Sequence, residues 1–83
     1  MDVAALLMAW TDNHTLVLRY AAMDNTASMT AEHTGISLHM VRAYRYQAAK
    51  MLCRHSIQGA VAEAIRRGIL SLTDADHAGY IGE

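Results

Sequence analysis

Residues that start or stop helices recur at short intervals along this sequence, and between them the apolar side chains follow a helical period. Val3, Leu6, Leu7 and Trp10 fall at i, i+3, i+4 and i+7, one face of a helix. Thr11 and Asp12 can end that segment or cap the next. Asn13 to Met23 repeats the pattern with Leu16, Val17, Tyr20 and Met23. Thr26 is a good N-cap for a short helix from Ala27 to about His33. Gly35 supplies the permissive position that a tight inter-helix turn needs. Ser37 caps a longer helix with Met40, Val41, Tyr44, Ala48, Met51 and Leu52 facing inward. His55 and Ser56 mark another break. Ile57 to Arg67 forms a last helix with Val61, Ala64 and Ile65 apolar, and Gly68 sits where a C-terminal cap belongs. Proline is absent, so nothing breaks these segments from within. No apolar-polar alternation marks a strand. The reading is all-α: four helices arranged as a helix-turn-helix domain, with an additional N-terminal helix.

Size and composition exclude several function classes. The chain has 83 residues, enough for one domain with a modest core, so a partner subunit would add useful burial. Its single cysteine, Cys53, can form no intramolecular disulfide and reads as a small buried filler. The scattered histidines lack metal spacing, and no metal or other cofactor is expected. A reducing, cytoplasmic setting fits this cysteine usage. The apolar run from Val3 to Trp10 is too short to span a membrane, and no basic segment precedes it as a signal peptide requires. No Ser-His-Asp set or carboxylate pair is legible, so an enzyme is not expected.

Charge is near balance overall, with a formal net charge of −1, but it is unevenly placed. Arg42, Arg45, Lys50, Arg54, Arg66 and Arg67 lie in one segment opposed there only by Glu63. Asp2, Asp12 and Asp24 lie toward the start, and Asp74, Asp76 and Glu83 at the end. A local basic patch attracts phosphate even on a near-neutral chain.

The two helices around Thr34-Gly35-Ile36-Ser37 read as a helix-turn-helix whose second helix, about residues 38–52, can enter a major groove. Its outer face would carry His39, Arg42, Arg45, Tyr46 and Lys50. The plainer reading is that these side chains only solvate a helix surface.

The wider pattern resembles the DNA-binding domain of LuxR/GerE-type (NarL/FixJ-type) transcription factors over residues 11–70. The matching positions are Thr11, Val17-Leu18, Thr26, Ala31 and the turn Gly35-Ile36-Ser37. They continue with Val41-Arg42, Lys50-Met51-Leu52, Ala60-Val61-Ala62-Glu63-Ala64 and Arg66-Arg67-Gly68-Ile69-Leu70. The chain departs from the pattern where the family has an Arg-Glu pair, here Asn13 and His14. It departs again at Ser28-Met29-Thr30, at Tyr44 in place of a histidine, and at Cys53 in place of the glycine that ends the recognition helix. Leu18-Arg19-Tyr20 and Val41-Arg42 are also similar to region 4 of sigma factors, although the close at Gly68 fits LuxR/GerE better.

Length and apolar period give a single domain with an amphipathic helix over 1–10, a core over 11–70 and a tail over 71–83, and the resemblance makes that core LuxR/GerE-like. The resemblance implies double-stranded DNA as partner, contacted by Thr26, Ser37, His39, Arg42, Ala43, Arg45, Tyr46, Lys50 and Arg54. It also implies a homodimer through the last helix, with Ile57, Ala60, Val61 and Ala64 facing a second subunit. The alternative is that these four pack on the domain's own core. Leu6 and Trp10 of the first segment would add either to that interface or to the core. The resulting expectation is a dimeric transcription regulator without a receiver or ligand-sensing domain. The competing reading keeps the fold but binds RNA polymerase or another LuxR-type regulator without reading DNA.

Overall fold

The computed structural model describes residues 9–71. Within them the chain is all-helical: α1 (Asp12–Ala22), α2 (Ala27–Thr34), α3 (Leu38–Met51) and α4 (Ile57–Arg66). The stripe from Val3 to Leu7, with Leu6, lies outside the described residues, as does the tail from Leu72. Ala9 and Trp10 belong to no helix.

Local hydrogen bonds fix where each helix begins. Thr26 Oγ1 accepts from the Met29 amide at 3.1 Å, Ser37 Oγ from Met40 at 3.1 Å, and Ser56 Oγ from Gly59 at 3.0 Å. Each bond satisfies an amide that the helix itself leaves unpaired, and such caps are each worth about 1 kcal/mol. α1 starts differently. The Thr11 amide donates to His14 Nδ1 at 2.9 Å, so an imidazole fills the place a Glu or Gln takes in a capping box. His14 is one of the residues that break the resemblance, and here it closes the first turn.

The ends follow from backbone sign. Gly35 adopts φ +78° and lets α2 stop within one residue, its amide bonding Ala31 O at 2.9 Å. Cys53 takes φ +59° just past α3. The sequence reading makes Cys53 a buried filler, but it is exposed, at a left-handed turn position that glycine adopts without strain.

α1 packs against α3 and α4, α2 against α3 and α1, and α3 against α4. The main core joins Leu18 and Ala22 of α1, Ala48 of α3 with Leu52, Ala60 and Ala64 of α4, and Leu70. Val17, Thr30 and Val41 are also buried, one from each of α1, α2 and α3. Burying a side chain such as Leu18 contributes about 2 kcal/mol. Several expected core positions shift. In α1 the buried face is His14, Val17, Leu18 and Ala22, while Leu16, Tyr20 and Met23 are half-buried. In α3 Met40 is exposed, because it lies about 100° around the helix from the buried Val41. In α4 Val61 and Ile65 are half-buried, and Ala60, Glu63 and Ala64 form the inner face.

Candidate nucleic-acid interface

α3 presents its outer side as a band of polar and basic groups. His39, Arg42 and Tyr46 are exposed, and Ala43 and Lys50 are half-exposed beside them. Tyr46 keeps 59% of its surface, and Lys50 Nζ stands 5.4 Å from its ring centroid, a cation-π contact one helical turn apart. The caps Thr26 and Ser37 are exposed at the starts of α2 and α3. Thus seven of the expected contact residues, Thr26, Ser37, His39, Arg42, Ala43, Tyr46 and Lys50, are accessible on these two helices.

Arg45 and Arg54 are placed otherwise. Arg45 lies only about 40° around the helix from Val41. It is half-buried and lines a groove of about 510 Å³ with Asp24, Thr26, Ile57, Val61 and Ile65. Burial there pushes its guanidinium below its ordinary pKa. Arg54, in the turn after α3, is engaged with a carboxylate: its Nη2 lies 2.6 Å from Glu63 Oε1.

Glu63 is the residue that sequence reasoning undervalued. Its side chain is only 2% exposed, yet it accepts four guanidinium hydrogen bonds. Arg54 Nη2 and Arg66 Nε converge on Oε1, the latter at 3.1 Å. Arg66 Nη2 and Arg67 Nε converge on Oε2, the latter at 2.6 Å. The hydrogen bonds from Arg66, then those from Arg54 and Arg67, hold the carboxyl well below the usual carboxylate range against the opposing effect of burial. The signal was present in sequence. Glu63 is the sole acid among six basic residues, with Arg66 at i+3 on the same helix and Arg67 at i+4 at its C-cap.

A second unanticipated group sets the position of α3 against α1. His14 is 2% exposed. Because its Nδ1 accepts from the Thr11 amide, the ring proton sits on Nε2, which donates to Gln47 Oε1 at 2.8 Å. Tyr44 meets the imidazole edge-on at 5.2 Å between centroids, and Asn13 Nδ2 donates to the Tyr44 hydroxyl at 3.1 Å. Trp10 covers the other side at 5.3 Å, and its indole N–H donates to Thr15 Oγ1 at 2.8 Å. Trp10 also packs on the main core of its own chain. On the far side Tyr20 of α1 stacks on His33 of α2 at 5.9 Å between centroids.

Of the residues expected at a dimer contact, Ala60 and Ala64 have no accessible surface in the single chain. They are core residues, because they lie on the face of α4 turned to Leu18, Ala48 and Leu52. Ile57 and Val61 are half-buried and border the groove. Among the described residues no group of three or more His, Cys, Asp or Glu could hold a metal ion, and no helix is long and apolar enough to cross a membrane. Comparison with family models, with curated proteins and with solved structures returns no match to this chain.

Proposed function

We propose that this chain is a sequence-specific DNA-binding transcription regulator that acts as a homodimer. In this reading α2 and α3 form a helix-turn-helix, and α3 is the recognition helix. The observation that carries it is the outer band of α3, where His39, Arg42, Tyr46 and Lys50 stand on one accessible side of a helix capped by Ser37. A single helix of this kind fits a B-DNA major groove, where arginine can pair with O6 and N7 of guanine. α2 braces it through the tight turn at Gly35. Arg42, one residue after the buried Val41, is the base-reading candidate, and Lys50 the phosphate contact. Ile57 and Val61 are the residues of α4 left for a twofold contact.

A second reading is a protein-binding module that docks on RNA polymerase or on another LuxR-type regulator. The groove favours it, because an apolar wall with one half-buried arginine also suits a protein helix. An electrophoretic shift with random genomic fragments, at low and moderate salt, separates the two. A shifted, selectable fragment supports the DNA reading. On that fragment Arg42→Ala costs about 1–3 kcal/mol and relaxes base preference at one position. Absence of any shift at low salt would leave the protein-binding module as the better reading.

A further inference from the structure

We infer that Arg54, Arg66 and Arg67 form a phosphate-binding site assembled on the buried carboxylate of Glu63. Among the described residues three guanidiniums meet at one carboxylate, so the cluster carries two positive charges in excess. Glu63 is saturated: a carboxylate offers about four acceptor positions, and four hydrogen bonds occupy them. It can neutralise nothing further.

The donors are not exhausted. Each guanidinium has about five N–H groups, and Glu63 takes one from Arg54, two from Arg66 and one from Arg67. The remaining donors lie on side chains that keep 49%, 70% and 44% of their surface, whereas Glu63 keeps 2%. The acid is therefore shielded, while the arginine side chains that hold it remain accessible. Holding three arginines in place beforehand removes much of the side-chain ordering that an anion would otherwise impose. The fork of an arginine fits a tetrahedral oxyanion with two parallel hydrogen bonds, and a phosphate offers several such oxygens.

The site deepens the DNA-binding reading and rests on it only for the source of the phosphate, which is then a backbone phosphate beyond the end of α3. The phosphate chemistry itself follows from the cluster alone. The test uses the full chain labelled with nitrogen-15 at arginine. Inorganic phosphate is titrated while the arginine Nε–Hε resonances are followed, with chloride at matched ionic strength as control. Saturable shifts of Arg54, Arg66 and Arg67 with phosphate alone are expected. No saturable shift, or the same shift with chloride, overturns the site.

A second arm uses a duplex selected in the shift assay and the variant Arg66→Gln, which leaves Arg54 and Arg67 on Glu63. Affinity about three- to tenfold weaker for all sequences alike, with a salt slope lower by about one, is expected for a lost backbone contact. Phosphate binding with duplex affinity unchanged in R66Q overturns the nucleic-acid source and leaves a site for a free phosphate ester. Phosphate binding by a chain that shifts no duplex supports the site while the DNA-binding reading fails.

Discussion

The middle of α3 is tied to α1 by neutral groups, whereas the turn leaving its far end is tied to α4 by ions. At the first tie His14 links the Thr11 amide to Gln47, under Trp10 and Tyr44, and is almost sealed from solvent. At the second, Glu63 gathers Arg54, Arg66 and Arg67 at the surface. The neutral tie uses its two ring nitrogens, one as acceptor and one as donor, and leaves nothing over for a ligand. The ionic tie satisfies its acid and leaves its bases in surplus. One therefore sets the angle at which α3 is presented, and the other keeps charge available beside it. Salt and acid should distinguish them.

Replacing Glu63 by Gln is expected to have the largest effect on stability. It leaves three adjacent guanidiniums without a carboxylate, so its melting temperature should be the lowest among the variants considered. It should also change the response to acid. The folded carboxyl is held below the ordinary range, so the unfolded chain takes up this proton first. The stabilisation is complete above the unfolded value of about 4.3 and drains away as pH falls toward the lower, folded value. Thermal melts from neutral pH down to about pH 3 should show wild type losing this contribution and E63Q lacking it. Parallel pH profiles for the two would break the contrast.

The neutral tie comes next. His14→Ala removes the cap of α1, the bond to Gln47 and the ring contacts, and should cost about 2–3 kcal/mol. That loss should be nearly the same at low and high salt, since no ion pair is involved. His14→Glu should recover about 1 kcal/mol, because a carboxylate can accept the Thr11 amide as in a capping box. Urea denaturation of both variants at two salt concentrations measures this. A glutamate no better than alanine would mean that the cap contributes little and the aromatic contacts most.

The smallest effect is local. Cys53 sits at φ +59°, where a β-carbon is disfavoured and glycine is not. Cys53→Gly should raise stability by about 1 kcal/mol, seen as a higher denaturation midpoint with an unchanged slope. A lower midpoint would place the value of Cys53 in its side chain.

The helix boundaries were legible because their causes lie within a few residues. Thr26, Ser37, Gly35 and Gly68 act on their own turns, and the sequence displays them directly. The outer band of α3 was legible for the same reason, since period alone sets His39, Arg42, Tyr46 and Lys50 opposite or beside Val41. Period left the rim open. Arg45 and Met40 fall at angles where a small rotation of the helix decides between core, groove and solvent, and that rotation is set from another helix, where His14 of α1 holds Gln47 of α3. For Glu63 and His14 the local partners, Arg66 with Arg67 and Thr11, could be read from spacing, whereas the partners that make them organisers between elements, Arg54 and Gln47, lie elsewhere in the sequence. The inner face of α4 was legible in part: Ala64 lay on the expected apolar face and is buried, whereas Val61 and Ile65 are half-buried and Ala60, small enough to sit where helices meet, takes the inner place.

Those small residues have a consequence for how the sequence can drift. Among the described residues Ala22, Ala48, Ala60 and Ala64 occupy the main core beside only three leucines. A truncation there has almost nothing to remove. An enlargement has nowhere to go, because each added methylene must displace a neighbouring helix, at a typical cost of about 1–3 kcal/mol. The direction of tolerance is thus reversed from that of a leucine-rich core. Changes that shrink side chains fall on the few leucines, and changes that grow them are blocked at the alanines. Variation is left to the outer faces, including the accessible band on α3.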